Sequence, residues 1–275
     1  MHRRRVLAAA GTLAATAAAG CLTGSPASDT TDRETPDPPK TETTTDTPAV
    51  PLSVSLDRYQ PGVVAMTSPD SIGDRGALFL DIDGDDAPAR TDFRFRFDGS
   101  SYVPVDPDDV RLWRAYGNRE DAYGVDGRDG WLLFDLPDSG AAADARLSWP
   151  GGEWTPTRSL RERLAAGFDF SVDYDFPETV EHGERPTVSL AVTNDADAPA
   201  RYLAALNRAG PRVAHAPIET ISFVLDPGET RTWTYEDDYF ESDDVDESEV
   251  GDGDPDMTYY VDSASENREF QVRIV

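Results

Sequence analysis

From Phe168 to Phe176 every second residue is apolar and every residue between is polar: Phe168, Phe170, Val172, Tyr174 and Phe176 against Asp169, Ser171, Asp173 and Asp175. An extended chain turns successive side chains to opposite faces, so this stretch gathers its apolar groups on one side only as a strand. The same period recurs along the chain. Phe93, Phe95 and Phe97 alternate with Asp92, Arg94 and Arg96, and Val188, Leu190 and Val192 alternate within TVSLAVTN. Ile221, Phe223 and Leu225, then Trp233 and Tyr235, and finally Phe270, Val272 and Ile274 repeat the pattern. Leu78–Ile82 reads as a further strand and Trp131–Leu136 as a central one. Turn residues separate these runs at 83–86, 126–130, 195–199 and 226–229.

Helical periodicity is scarce by comparison. A short helix is expected near Ser159–Ala166, with Ser159 as its cap and Glu162 three residues later. The expectation is an all-β chain with two small antiparallel β-sandwich domains of the immunoglobulin-like kind, 51–158 and 168–275. Residues 159–167 would be the bridging helix or linker between them. Each side of that break holds about 110 residues, an ordinary domain size.

The first 50 residues have a different character. Arg3, Arg4 and Arg5 precede an apolar run from Val6 to Ala19, which ends at Ala18-Ala19-Gly20-Cys21. A bilayer-spanning helix needs about 20 strongly apolar residues, and this run is shorter and mostly alanine, so 1–20 reads as a signal peptide. The arginines resemble the twin-arginine export signal. The tetrad resembles a lipobox, with Ala18 where leucine is usual, and implies a lipid on Cys21. The competing reading is a soluble secreted protein with Cys21 as a remnant or free thiol. Residues 22–50 contain eleven Ser or Thr and five Pro with almost nothing apolar. Such a composition cannot build a core, so 21–50 is expected to be a disordered stalk carrying the lipidated Cys21.

Charge excludes some partners. The formal net charge is -28, which repels nucleic acid and bare anionic lipid. Lys40 is the single lysine beside 24 arginines. Excess carboxylate with almost no lysine resembles proteins of extremely salt-loving archaea, and the amino-terminal pattern resembles haloarchaeal twin-arginine-exported lipoproteins of uncharacterised function. The domain at 168–275 resembles the CARDB-like, or cell-adhesion-related, modules of bacterial and archaeal surfaces. Two pieces carry that likeness: the turn Thr193-Asn194-Asp195-Ala196-Asp197-Ala198-Pro199, and Asp226-Pro227-Gly228-Glu229-Thr230 before a Trp-bearing strand. The resemblance implies surface binding or scaffolding with no fixed ligand.

Two segments stand out as candidate sites. Residues 202–218 are apolar and small-residue-rich yet contain Asn207, Arg208, Arg212 and His215. One reading is a crossover between sheets that turns at Gly210-Pro211. The other is a recognition loop whose guanidinium groups hold a carboxylate or sulfate bidentately. Residues 236–256 are dense in carboxylates, and Asp252, Asp254 and Asp256 could hold a weak calcium ion, although the EF-hand spacing is absent. The plain alternative there is a solvated acidic hairpin loop, and the same pair of readings applies to 81–86. Aromatic groups at Trp113 and Tyr116, and at Trp149 and Trp154, would stack on glycans if exposed and would pack if buried.

The two histidines after the signal, His182 and His215, lack motif partners. No nucleophile elbow, phosphate loop or zinc spacing occurs. The sequence therefore favours a non-catalytic surface binding or structural module on the outer face of the cytoplasmic membrane. It would require no cofactor, be held by membrane lipid through Cys21 and meet an envelope protein or polysaccharide. The alternatives are a secreted cation-dependent hydrolase and a solute- or glycan-binding accessory protein.

Overall fold

The computed structural model describes residues 50–63, 76–84, 86–108, 121–125, 127, 129–210, 214–237 and 255–275. Arg3, Arg4, Arg5, Cys21, Trp113, Tyr116, Arg212, Asp252 and Asp254 lie outside them. Strands dominate the rest, as the alternation requires, in four sheets stacked as two sandwiches, antiparallel throughout except that the short strand at 179–180 runs parallel to the last strand. Residues 46–275 form one compact unit that contains both.

In the first sandwich, β1 (Ser53–Gln60), β2 (Gly76–Asp83) and β5 (Gly130–Leu136) make one sheet in the order β1-β2-β5. β3 (Arg94–Phe97), β4 (Ser100–Tyr102), β6 (Arg146–Trp149) and β7 (Gly152–Trp154) make the other, in the order β4-β3-β6-β7. The expected alternation of β3 is observed: Phe93, Phe95 and Phe97 are fully buried, facing Leu78, Leu80 and Phe134 across the core. β2 and β5 bury both faces, because Ala77, Phe79, Trp131 and Leu133 form a second apolar cluster with Val63 and Ala122 behind the sheet. This is why those two segments read as continuous apolar runs.

The helix α1 (Arg158–Ala166) is present but corrects the sequence reading in two ways. Its cap is Thr157, whose Oγ1 accepts from the Leu160 amide at 3.3 Å. Glu162 turns outward to Arg158 at 2.8 Å instead of back to a cap at Ser159. Leu160 and Leu164 are buried in the first sandwich's core, so the helix closes that domain and is no free linker. It stops at Gly167 (φ 74°), where a Cβ would lie 2.9 Å from the Asp138 carbonyl oxygen.

The second sandwich sets β8 (Phe170–Asp175), β10 (Thr187–Asn194) and β13 (Thr230–Glu236) in the order β13-β10-β8. Facing them are β9 (Thr179–Val180), β11 (Ala200–Ala209), β12 (Ala216–Leu225), β14 (Met257–Ser263) and β15 (Asn267–Ile274), in the order β12-β11-β14-β15-β9. Val188, Leu190 and Val192 meet Tyr202, Leu206, Ile221, Tyr259 and Val272 between the sheets. The described residues of this segment, 202–210 and 214–218, lie almost wholly in two paired strands of one sheet, so the crossover between sheets and the recognition loop are both corrected. β11 and β12 pair antiparallel from Ala200↔Leu225 to Arg208↔Ala216.

The two turns singled out in the sequence meet at one end of this sandwich. Asn194, fully buried, donates from Nδ2 to the Ala198 and Leu225 carbonyls, and its Oδ1 accepts from the Ala196 amide. The Gly228 amide donates to the Asn194 carbonyl at 2.8 Å, and the Asn194 amide to the Glu229 carbonyl at 3.0 Å. Asn194 is thus the pin on which both turns close, a structural use that leaves no side-chain group of it for a ligand.

Candidate functional site

Asn207 and Arg208 are neighbours on β11, so the pleat sends them to opposite faces. Arg208 points inward and is 3% exposed. Its Nη1 lies 3.1 Å from Asp237 Oδ2, which also accepts from the Tyr259 hydroxyl at 2.8 Å. Asp237 follows β13, so this charge pair ties one sheet to the other at the end of the sandwich away from Asn194. Burial, followed by the Asp237 charge, pushes the Tyr259 hydroxyl well above the ordinary tyrosine range, which keeps it a donor. The expectation of a displayed guanidinium at Arg208 is therefore overturned: a buried charge must be paired, and this one is.

Asn207 faces outward and donates from Nδ2 to Asp262 Oδ2 at 3.0 Å. Both side chains are largely buried, and burial holds the Asp262 carboxyl above its ordinary value, while the Asn207 hydrogen bond opposes the rise. His215, exposed, sets its ring 5.9 Å from that of Tyr260 and adds a favourable field at Asp262. So Asn207 and His215 share a face, Arg208 does not, and Arg212 lies outside the described residues.

Asp256, the described member of the calcium triplet, accepts from the Ile274 amide at 2.8 Å and thereby fastens β15. Its carbonyl oxygen lies where a Cβ on Gly210 (φ 66°) would come within 2.4 Å, so the backbone just after β11 packs closely on it. Among the described residues no three His, Cys, Asp or Glu side chains come together as a metal site would require. Trp149 is 8% exposed and donates from Nε1 to the Val50 carbonyl at 3.0 Å, and Trp154 packs on the first core. These two tryptophans pack; they do not present a stacking platform.

A cleft among the described residues was not signalled by any motif. β14 stops at Ser263, opposite Ala204, while β11 continues back to Ala200. The first four residues of β11 therefore lack a partner on that side, and the turn after β14 folds beside them. A cavity of about 150 Å³ fills this notch, lined by Pro61, Asp138 and Phe168–Phe170 on one side and by Tyr202, Leu203 and Ser263–Ser265 on the other. It lies where the two sandwiches adjoin, with the Phe168 ring 4.7 Å from Tyr59 of β1.

Tyr202 is 1% exposed, and its hydroxyl lies against that of Tyr174, sealed from the notch. Burial, opposed by a hydrogen bond with the Tyr174 hydroxyl and joined by the nearby Glu266 charge, pushes the Tyr202 hydroxyl up to about 12, so it stays protonated across the neutral range. Tyr174 is itself committed to Glu266 Oε1 at 2.8 Å. Ser263 Oγ is likewise engaged, donating to the Glu266 carbonyl and accepting from the Glu266 amide. The sequence concealed the notch because Phe170 and Tyr202 read as core aromatics, and the early end of β14 beside β11 is a fact of three dimensions.

No protein-family profile and no curated protein sequence matches the chain. Among solved structures, parts of it superpose loosely on β-glucosidases. The Listeria innocua enzyme in complex with glucose is 16% identical with a TM-score of 0.31, over 46% of this chain and 18% of that one. A β-glucosidase from Erythrobacter marinus is 13% identical, TM-score 0.31, over 39% and 16%. The β-D-glucoside glucohydrolase of Trichoderma reesei is 13% identical, TM-score 0.28, over 42% and 20%. The chain spans about a fifth of those enzymes' length. Likeness at this level carries no argument about activity.

Proposed function

We propose that this protein is a membrane-anchored extracytoplasmic lipoprotein whose two-sandwich body acts as a non-catalytic surface binding module. The observation that carries the reading is the order of parts in the chain. A basic start at Arg3-Arg4-Arg5, a short alanine-rich run and a small-residue tetrad ending at Cys21 come first, then a Ser/Thr/Pro-rich stalk, then the folded body. The acid excess and single lysine fit a body kept soluble in concentrated salt. Within the body, the polar groups most suggestive of chemistry are spent on bracing: Arg208 on Asp237, Asn194 on two turns, Asp256 on β15. A braced body with a notch in its surface suits the holding of a fixed shape for a ligand.

The test is made on the full chain expressed in a salt-tolerant host. The native protein is expected in the detergent phase after phase separation, with a mature amino terminus at a lipid-modified Cys21 by mass spectrometry. The Cys21→Ser variant is expected in the aqueous phase. Identical partitioning of the two, or a mature chain that begins elsewhere, would sink the anchoring.

A further inference from the structure

We propose that Arg163 and Arg201, set close together where the two sandwiches adjoin, hold the sulfate or phosphate group of a ligand, with Arg58 lending its charge beside them. The proposal gives the binding module a ligand class and rests on that reading, while the Cys21 experiment is decided independently of it.

The backbone brings the three residues to one place. Arg163, in the last turn of α1, donates from Nη2 to the Tyr59 carbonyl at 3.0 Å, and its guanidinium carbon lies 5.9 Å from the centre of the Tyr59 ring. Arg58 precedes that tyrosine on β1, its own guanidinium carbon 5.9 Å from the centre of the Phe79 ring. Two residues beyond Tyr59, Pro61 shares the walls of the notch with Tyr202 and Leu203 of β11, and Arg201 directly precedes Tyr202. The Arg201 charge is felt at both of the others. Burial first, then Arg201, lowers the pKa of Arg163; burial, opposed by Asp57 and joined by Arg201, lowers that of Arg58.

What these side chains leave uncommitted defines the site. Arg163 Nε is enclosed and meets no ligand, but Nη1 makes no hydrogen bond and is not enclosed. Arg201 donates from Nη1 to Ser222 Oγ at 3.0 Å, and its Nε and Nη2 are neither bonded nor enclosed. Those two nitrogens form the edge on which the N–H bonds run parallel, the fork that takes two oxygens of one anion. Arg58 is different: its Nε donates to Asp57 Oδ2 at 3.1 Å, and Asp81 also offsets its charge. No carboxylate among the described residues pairs with Arg163 or Arg201, although the chain holds 53 acidic residues against 25 basic ones.

Two half-buried guanidiniums that repel each other are stabilised by an anion between them. A planar carboxylate spends both its oxygens on the Arg201 fork. A tetrahedral oxyanion points its oxygens in several directions, so it can fill the fork and reach Arg163 Nη1 as well. In molar salt a bare charge is screened within about 3 Å, so selectivity there depends on direct hydrogen bonds of this kind.

Radiolabelled sulfate is the probe, dialysed to equilibrium against the full chain in a neutral detergent and molar potassium chloride. One saturable site per chain is expected, with the label displaced by unlabelled phosphate and by glucose 6-sulfate but not by acetate. Displacement by the free ions and not by the sugar ester would confine the site to a free anion and support it equally. Arg201→Gln should weaken sulfate binding at least about tenfold. Arg201→Lys keeps the charge and loses the fork, and Arg163→Lys can keep a bond to the Tyr59 carbonyl but has no second nitrogen for the anion; each should weaken binding several-fold. Arg273→Gln, the same charge change at an exposed position on β15, should leave it unchanged. In the native chain, the Arg201 Nε–H resonance, identified by its loss in Arg201→Gln, should move as sulfate is added, a readout that does not depend on how the variants fold. The absence of saturable binding, equal displacement by acetate, native-like binding by any of the three variants at Arg163 and Arg201, an equal loss in Arg273→Gln, or an Arg201 resonance unmoved by sulfate would each overturn the proposal.

Discussion

Arg208 has nowhere to go but its partner. It is enclosed between two sheets with Asp237 and Tyr259, and loss of one charge leaves the other stranded in an apolar interior. Removing one member of a buried pair costs about 3–5 kcal/mol. Arg208→Ala is therefore expected to lower stability by that order in chemical denaturation, and Arg208→Met combined with Asp237→Leu to recover much of it. A single variant within about 1 kcal/mol of native would refute the clasp. Asp262 works in the opposite sense. Its folded pKa is raised, so between the unfolded and folded values the native state binds more protons, and stability falls as pH rises through that interval and stays lower above it. Asp262→Asn keeps an oxygen for the Asn207 amide and removes the charge. Its melting temperature should match or exceed that of native at neutral pH, with the gap closing in acid; a gap that widens in acid would contradict the assignment. Arg208 lies in a segment that looked unusual in the sequence, and Asp262 answers to Asn207 of the same segment, yet neither use was legible there. The apolar run Leu203–Leu206 is buried on both faces and hides the alternation that would have sent Asn207 and Arg208 apart.

The elements themselves were far more legible. Each strand predicted from period-two alternation is present, because a single buried face forces the pattern. β1 and β14 were harder to see: β1 is an edge strand with half-exposed side chains, and β14 mixes tyrosines with Thr258 and Asp262. The helix shows how a cap can be misplaced by two residues. Thr157 and Ser159 are both hydroxyl residues, and the choice depends on Pro156 leading the chain in and on Glu162 turning to Arg158, neither of which a local motif encodes. Thr157→Ala should cost about 1 kcal/mol in thermal or urea unfolding and Ser159→Ala almost nothing. Equal costs, or the reverse order, would return the cap to Ser159.

For the whole molecule, 53 acidic residues against 25 basic ones mean that folding concentrates like charge. Self-repulsion of that kind is screened by salt within about 10 Å at 0.1 M and about 3 Å at 1 M. The midpoint of thermal unfolding should climb steadily from about 0.1 M to molar potassium chloride, and a flat profile would mean that the carboxylates are spaced well enough to need no screening.

β1 has a mechanical consequence. Val50 is fastened at the head of this strand, its amide on the Gly151 carbonyl and its carbonyl on the Trp149 indole, while Pro61 at the tail forms part of the notch. A tether pulling at residue 50 and a partner held at the notch would load the strand lengthwise over about 27 Å. Its ladder to β2 runs perpendicular to that pull from Ser53↔Asp83 to Gln60↔Ala77. The pairs would be sheared together instead of being unzipped one at a time, so traction between anchor and ligand would fall on the sheet in the direction in which it resists most.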